Sequence, residues 1–429
     1  MKVYEPANIR NITLLGHAGS GKTTLAEALL AGAKAINWRG TVEDQNTVSD
    51  YHELEHERGN SIFSVPMYLE HAGRKVNMID TPGFDDYIGE ALGAAYAADN
   101  GIIVMNAQNG IEVGTDNMFQ ACEKLGKPVC FVLNKIDVEQ AKFDENVESL
   151  KQRYGGSSTI VQYPLNTGLQ FNAIIDLLSM SMYEYGPDGG KGQKKDMPED
   201  EKDKAEGLRS ELIESIAETD EELMNKYLET ESLEGDDLIN GFRKALTSHQ
   251  IFPIFVSSAK ADKGVDLLLD FIINFLPSPA DMPVTRDAED KEVPCDPSAQ
   301  PSLVVFKMLS ESHLGDMTFF KVMSGTIKNG LDLVNEDNNS TERFNALYVV
   351  NGKKRAEVDA IQAGDIGASV KLKSTHVNNT LHAKGFNVKY KPIEYPNPKV
   401  RIAIVPKNKG EEEKVGMGLN AIHEEIGRA

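Results

Sequence analysis

Residues 16–24 read Gly16-His17-Ala18-Gly19-Ser20-Gly21-Lys22-Thr23-Thr24 and fit the phosphate-loop template G-x-x-x-x-G-K-[ST]. The apolar residues 9–15 before them are typical of a buried strand, and residues 25–30 after them are good helix formers. Glycines let backbone N–H groups converge on phosphate oxygens at the positive end of such a helix. Lys22 would supply charge to the β- and γ-phosphates, and Thr23 a hydroxyl to Mg²⁺. A glycine turn without a ligand is the alternative.

A second motif lies where the strand-like residues 76–80 run into Asp80-Thr81-Pro82-Gly83. A carboxylate at the end of a strand can hold Mg²⁺ through a water molecule, and Asp80 is expected to do so. The Gly83 N–H is expected to meet the γ-phosphate. Together with the phosphate loop, this motif predicts a site for a nucleoside triphosphate and Mg²⁺.

A third motif indicates the base. The apolar residues 130–133 lead into Asn134-Lys135-Ile136-Asp137, the pattern N-K-x-D. The Asp137 carboxylate accepts two N–H donors from a guanine edge, whereas adenine has the opposite donor–acceptor pattern and would leave groups unpaired. The stem of Lys135 can lie along the base. The backbone amides expected to meet the guanine O6 are those of Ser258, Ala259 and Lys260. The bound nucleotide is therefore predicted to be GTP or GDP.

These motifs, together with Glu55-His56-Glu57-Arg58-Gly59, resemble those of the translational GTPases, and most closely the elongation factor G family. Residues 276–279, 309–330 and 363–367 are similar to that family as well, so the resemblance covers essentially the whole chain. It implies an α/β P-loop GTPase domain with a helical insert, followed by an antiparallel β-barrel domain. It also implies that the chain contains the start of an α+β third domain.

The expected domain boundaries follow from changes in pattern along the chain. The GTP-binding domain is predicted over residues 1–280 with an insert at about 163–250, the barrel over 281–395, and an incomplete third domain over 396–429. In that last part, residues 400–405 predict a strand and residues 410–426 a helix. Because family members continue well beyond this point, the resemblance implies a C-terminally truncated chain. A natural two-domain GTPase is the alternative.

Composition restricts the partners. A net charge of −21 argues against simple electrostatic binding of nucleic acid by the whole chain, although a local basic face is compatible with it. Residues 196–237 hold 17 acidic and four basic residues, which indicates either a solvated helix surface or a surface for a protein partner. No apolar run is long enough to span a membrane, and residues 1–6 lack the apolar core expected of a signal peptide. The three cysteines are few and have no metal-ligand spacing, which fits a reducing cytoplasm. A monomer is expected.

Three departures from the family pattern concern hydrolysis more than binding. The family has a histidine after D-T-P-G, and here Phe84 takes that position without a donor or acceptor for the attacking water. Gly19 replaces an aspartate of the family's phosphate loop. Ser61 replaces a threonine of the first switch and keeps the hydroxyl that can ligate Mg²⁺. Either His17, His52 or His56 compensates, or hydrolysis is slow or absent and GTP acts as a conformational ligand.

The resulting prediction is a GTP-binding translation factor that resembles elongation factor G and acts on the ribosome in translocation. Its expected partners, by family resemblance, are rRNA and ribosomal proteins, and no residue is predicted to be catalytic. A ribosomal protection factor or a release and recycling GTPase of the same fold is one alternative. A GTP-binding regulatory module without a role in translation is another.

Overall fold

The computed structural model describes residues 2–311, 315–397, 400, 402–406, 408 and 410–426. These residues form two compact units. One comprises residues 10–91 and 98–282, and the other comprises the described parts of residues 1–9, 92–97 and 283–429. The domain boundaries expected at 280 and 395, and the insert boundaries at 163 and 250, stay predictions.

Strands and helices alternate over the first 160 residues, as the sequence predicts. They are β1 (Ile9–Leu15), α1 (Lys22–Gly32), α2 (Glu53–Arg58), β2 (Val65–His71), β3 (Arg74–Asp80), α3 (Ile88–Ala97), β4 (Asn100–Asn106), α4 (Val113–Lys124), β5 (Val129–Asn134), α5 (Phe143–Tyr154) and β6 (Ser158–Ile160). Short 3-10 helices span Pro6–Asn8 and Asp85–Tyr87. Every residue of β1 and β5 is buried, which is typical of parallel strands with both faces covered.

The segment after β6 contains a sheet as well as helices. Its elements are β7 (Gln162–Pro164), a 3-10 helix (Gly168–Gln170), β8 (Ala173–Asp176), β9 (Ser181–Glu184), β10 (Gln193–Lys195), α6 (Glu199–Ala217), α7 (Glu221–Thr230) and α8 (Gly235–Thr247). Helices α6, α7 and α8 confirm the predicted helical insert, and the structure adds short strands that were not predicted. Strands of three or four residues are too short to give a period-two signal in the sequence, and β8 is buried throughout.

The core sheet brings the sequence motifs to one edge. After the insert, the chain returns through β11 (Phe252–Val256) and α9 (Val265–Asn274). The strand order is β2-β3-β1-β4-β5-β11-β6, in which β1, β4, β5, β11 and β6 run parallel and β2 pairs antiparallel with β3. The loops after β1, β3, β5 and β11 carry the four motifs. They therefore lie beyond the carboxyl ends of the strands, where nucleotides bind in open α/β sheets.

The second unit is built on an antiparallel sheet, as predicted. Its strands are β12 (Thr285–Arg286), β13 (Glu292–Val293), β14 (Ser302–Glu311), β15 (Gly315–Ser324), β16 (Thr326–Lys328), β17 (Leu331–Asn335), β18 (Thr341–Phe344), β19 (Leu347–Asn351), β20 (Lys354–Val358), β21 (Ala360–Gln362), β22 (Ile366–Val370) and β23 (Thr380–His382). Eight of them form the sheet β18-β17-β23-β14-β15-β22-β19-β20. The rings of Phe320 and Phe344 pack edge to face in its core, 5.6 Å apart.

The last described residues contain one predicted element and lack another. Helix α10 (Glu412–Ile426) confirms the predicted helix. The strand predicted at 400–405 is wrong for the described residues of that stretch, and Arg401 lies outside them. Ile402 and Ile404 are 81% and 59% exposed, and no described strand pairs with them, so their alternating pattern has no sheet to join. Within the described ranges, every helix is too short or too polar to cross a membrane.

Candidate functional site

The phosphate loop joins β1 to α1 and is packed so closely that glycine is required. Gly21 has a left-handed φ of +95°, and a Cβ there would lie 2.4 Å from Asn134 Nδ2. Gly83, from the loop after β3, approaches the same place. A Cβ on Gly83 would lie 2.5 Å from both Ala18 N and Lys22 Nζ. The backbone of the D-T-P-G motif therefore reaches the phosphate loop because residue 83 has no side chain.

Lys22 is held within the loop before any ligand is considered. Its Nζ donates to the carbonyl oxygens of Gly16 and His17, each at 2.9 Å. Burial lowers the pKa of Lys22 to about 8, although the charges of Asp80, Asp50 and Glu112 oppose that shift. A phosphate beside this ammonium would favour its charged form. The position is therefore suited to an anion of high charge.

Oxygen ligands surround the predicted Mg²⁺ position. Thr23 Oγ1 donates to Asp80 Oδ2 at 2.7 Å and lies 3.2 Å from Ser61 Oγ. Ser49 Oγ donates to the same carboxylate oxygen at 2.9 Å, while Asp80 Oδ1 is buried without a hydrogen-bond partner. Burial raises the pKa of Asp80, which a divalent cation would counteract. A set of hydroxyl and carboxylate oxygens fits Mg²⁺.

Two residues of this cluster, Ser49 and Asp50, are not predicted from any sequence motif. Ser49 contacts Asp80. Asp50 lies close enough for the charge of Asp80 to act on it, and its Oδ1 is buried without a hydrogen-bond partner. Burial, followed by the charge of Asp80, raises the pKa of Asp50 to about 7. Neither residue belongs to a motif with fixed spacing, so only the path of residues 47–50 brings them to the site.

The N-K-x-D motif follows β5, which is separated from β1 by one strand, and its side chains donate hydrogen bonds to the phosphate loop. Asn134 Nδ2 donates to Ser20 O at 2.9 Å, and Lys135 Nζ donates to Gly19 O at 2.8 Å. Asn134 Oδ1 accepts from Ala259 N at 2.9 Å and thereby joins the loop after β11 to the same assembly. One asparagine thus connects three of the four motifs.

The groups predicted to contact guanine differ in whether another group of the protein already hydrogen-bonds to them. The Asp137 carboxylate is partly exposed and accepts no hydrogen bond from the described residues. In contrast, Ser258 N donates to Lys263 O at 2.9 Å, and Ala259 N donates to Asn134. A base oxygen would therefore share the Ala259 N–H or meet another amide of that loop. No sequence motif predicts this internal pairing.

A cavity of about 560 Å³ lies between these loops. Its lining contains twelve of the predicted site residues, namely His17, Ala18, Gly19, Gly21, Lys22, Thr23, Thr24, Ser61, Gly83, Asn134, Lys135 and Lys260. Gly16, Ser20, Asp80, Asp137, Ser258 and Ala259 are predicted site residues that do not line it. Asp80 instead lies behind Thr23, and Ser20 and Ala259 contact the motif residues described above. A volume of this size is ordinary for a small-molecule site.

Phe84 also lines the cavity, and its side chain is 44% exposed. Of the three histidines that could compensate, His17 alone lines the cavity. Its Nδ1 accepts from Gly114 N at 3.3 Å, and its Nε2 lies 3.8 Å from Glu112 Oε1. His56 Nε2 lies 2.9 Å from Asp50 O, and the His52 ring packs 4.7 Å from that of Phe63.

Comparison with known proteins agrees with this geometry. A family model described as Elongation factor Tu GTP binding domain matches residues 7–278, and one described as Elongation factor G domain 2 matches residues 300–384. The chain belongs to the elongation factor G family of translational GTPases. The GTP-binding domain that the first model describes implies guanine-nucleotide binding, which agrees with the base predicted from Asp137.

One solved structure, from Thermus thermophilus, is similar along 98% of this elongation factor G family chain, at 30% sequence identity and with a TM-score of 0.87. The chain spans 61% of the length of that protein. The match therefore covers both units described above, whereas the remainder of that relative has no counterpart in these 429 residues.

Proposed function

We propose that this protein is a GTP-binding translation factor that acts on the ribosome in translocation and hydrolyses GTP slowly. The observation that carries the proposal is a contrast within one cavity. Lys22, Asn134 and Lys135 are fixed by hydrogen bonds on its binding side, whereas Phe84 occupies the position of the family's histidine.

In this proposal the phosphate loop, residues 16–24, and the Gly83 N–H bind the triphosphate. Thr23 and Ser61 would supply hydroxyl oxygens to Mg²⁺, and Asp80 would hold it through water. Mg²⁺, when bound, neutralises charge shared by the β- and γ-phosphates. Asp137 accepts the guanine N–H donors, and Lys135 lies along the base. Each role is supported by the position of the residue at the same edge of the core sheet.

Slow hydrolysis follows from the chemistry of the Phe84 ring. A group that orients the attacking water contributes about 10²–10⁴-fold to rate, and a phenyl ring cannot hydrogen-bond to water as imidazole does. His52 and His56 do not line the cavity, and Nδ1 of His17, which does, already accepts a hydrogen bond from Gly114 N. GTP binding would then act mainly by favouring one conformation, and its slow turnover would set the cycle.

The test is single-turnover GTP cleavage by the full-length protein with excess ribosomes. We expect a rate about 10²-fold or more below that of a family member that carries histidine, with similar GTP affinity. An equal rate would refute slow hydrolysis and leave the family assignment intact. Co-sedimentation with ribosomes, with and without a non-hydrolysable GTP analogue, tests the partner separately. Absence of nucleotide-dependent co-sedimentation would refute the ribosomal role. A monomer in the cytoplasm stays a prediction.

A further inference from the structure

The segment between α1 and α2 contains no helix or strand, yet polar contacts hold it firmly against the nucleotide site. We refer to residues 39–50 as the cover segment. Glu27, which is buried in α1, accepts hydrogen bonds from Gly40 N at 2.8 Å and Val48 N at 2.5 Å. Burial raises the pKa of Glu27, and the two N–H donors oppose that shift. Both ends of the segment are thus fixed to the helix that begins with Lys22.

Arg39 connects this segment to the base-binding loop. Its Nη2 donates to Thr24 O at 3.3 Å and also to Ala259 O. The acceptors belong to α1 and to the loop after β11, and residues 39 and 259 are 220 positions apart in sequence. Partial burial lowers the pKa of Arg39, while the charges of Asp262 and Glu27 oppose that shift. A charged donor that is partly shielded from water forms a stronger hydrogen bond than an exposed one.

The bond to Ala259 has a direct consequence for the site. Ala259 N is held by Asn134 Oδ1 at 2.9 Å, and Ala259 O is held by Arg39, so both polar groups of this residue are fixed. Asn134 comes from a motif that the family resemblance assigns to guanine, whereas Arg39 belongs to none of the motifs. Arg39 therefore holds the base-binding loop through Ala259 O, whereas Asn134 holds it through Ala259 N.

A second contact between the same two segments lies on the surface. Lys260 Nζ is 2.9 Å from Glu43 Oε1, with side chains 80% and 69% exposed. Exposed ion pairs contribute little to stability, so this pair is expected to matter much less than Arg39. Glu43 and Lys260 both line the cavity, as do Val42 and Asp50 of the cover segment. The segment thus forms one wall of the site, and Arg39 joins that wall to the base-binding loop.

We propose that Arg39 is a positioning residue of the nucleotide site, which joins the cover segment to the loop at Ser258–Lys260 so that guanine nucleotide leaves only when this junction opens. The proposal rests on guanine-nucleotide binding at this site. It concerns the rate of release and not the rate of hydrolysis. Arg39 acts through Ala259 and through the cover segment, without contact to the reacting phosphate.

The experiment measures dissociation of mant-GDP, a fluorescent GDP, from the full-length protein by stopped flow. Arg39→Ala is expected to release it about tenfold faster, because a charged hydrogen bond is lost. Arg39→Lys should stay within about threefold of the unaltered protein, since one nitrogen makes both bonds and an ammonium can replace it. Lys34→Ala, which removes an exposed charge just before the cover segment, is the matched control. Glu43→Ala should change release by less than about threefold.

Trp38 supplies an independent measure of the same junction. It is the single tryptophan of the chain, adjoins Arg39 and is 61% exposed, so energy transfer from it to mant-GDP reports the distance between the cover segment and the nucleotide. Arg39→Ala should reduce this transfer, and Arg39→Lys should preserve it, at a temperature at which circular dichroism shows each variant to be folded. An arginine with a merely structural role would lower the unfolding midpoint and leave the transfer unchanged.

Several outcomes would overturn the proposal. Release from Arg39→Ala at the rate of Lys34→Ala would show that the junction does not control exit. Release from Arg39→Lys as fast as from Arg39→Ala would show that the donor at this position is not what matters. Failure of the unaltered protein to bind mant-GDP would refute guanine-nucleotide binding itself, and is distinguishable because no release is then observed. A normal hydrolysis rate would refute the proposed slow turnover and leave the role of Arg39 untouched.

Discussion

The two sides of the nucleotide cavity differ in how completely their side chains are held. On one side, Lys22, Asn134 and Lys135 each donate to a backbone carbonyl of the phosphate loop at 2.8–2.9 Å. On the other, Phe84 is 44% exposed and has no polar atom to offer, and Gly19 has no side chain. In the proposed function, interactions with the ground state are retained and those with the transition state are reduced. Binding and catalysis draw on different interactions and can therefore be separated.

The contrast also concerns packing. At Gly83, a Cβ would meet Ala18 N and Lys22 Nζ at 2.5 Å, whereas a Cβ at Gly19 would have no atom within 4 Å. Gly83, whose N–H is expected to meet the γ-phosphate, therefore tolerates no side chain. At Gly19, where the family has an aspartate, there is space for a side chain. Four substitutions test this contrast, in descending order of expected effect.

Removal of the Lys22 ammonium should have the largest effect. Lys22→Ala should weaken GTP and GDP binding by roughly 10²–10⁴-fold, because charged hydrogen bonds of about 1.5–3 kcal/mol each are lost at two phosphates. Isothermal titration calorimetry gives the affinity, and circular dichroism shows that the fold persists. Lys34→Ala, an exposed lysine that follows the same helix, is the control and should bind normally. Wild-type affinity in Lys22→Ala would mean that nucleotide binds elsewhere.

Loss of the Asp137 carboxylate should have the next largest effect. Asp137→Ala should weaken GDP binding by about 1.5–3 kcal/mol, or roughly 10- to 150-fold, since two guanine donors lose their acceptor. ATP should bind poorly to both proteins when measured by competition. Glu139→Ala removes an exposed carboxylate two residues away and should leave affinity unchanged. Comparable affinity of the unaltered protein for ATP and GTP would contradict the assigned base.

Replacement of Phe84 by histidine should raise the rate of GTP cleavage without changing GTP affinity. Phe84→His should increase ribosome-stimulated GTP cleavage about tenfold, a part of the contribution expected from a water-orienting group. GTP affinity should change little because the group acts mainly in the transition state. Single-turnover cleavage on the full-length protein is the measurement. Phe84→Leu, which stays apolar, should cleave at the original rate, and an equal increase there would exclude the imidazole as the cause.

The smallest effect is expected at Gly19. Gly19→Asp, added to Phe84→His, should raise the cleavage rate only about two- to threefold further, because the carboxylate acts indirectly through water or a monovalent cation. The position has a φ of +78°, so aspartate should also cost about 1 kcal/mol of stability. Thermal unfolding measures that cost. Gly19→Asn, which fits the same backbone without charge, is the control. An equal gain with asparagine would exclude the charge as the cause.

The fold of the first unit was largely predictable because its signals are local. The phosphate loop requires a strand before it and a helix after it, and β1 and α1 appear where the pattern places them. The antiparallel second unit followed from short β-rich runs between turns. The insert was predicted only in part, because helices α6–α8 repeat apolar residues over several turns and the strands of three or four residues do not.

The sequence by itself determined the order of the motifs, the α/β class, the identity of the base and the departure at Phe84. Each of these depends on residue type at a fixed local spacing. Only the tertiary structure decided that Asn134 occupies the Ala259 N–H, that Asp50 lies beside Asp80, and that Arg39 reaches Ala259 across 220 positions. It also shows no strand among the described residues that pairs with residues 402–405. Such contacts depend on where the chain returns in space, which local spacing does not encode.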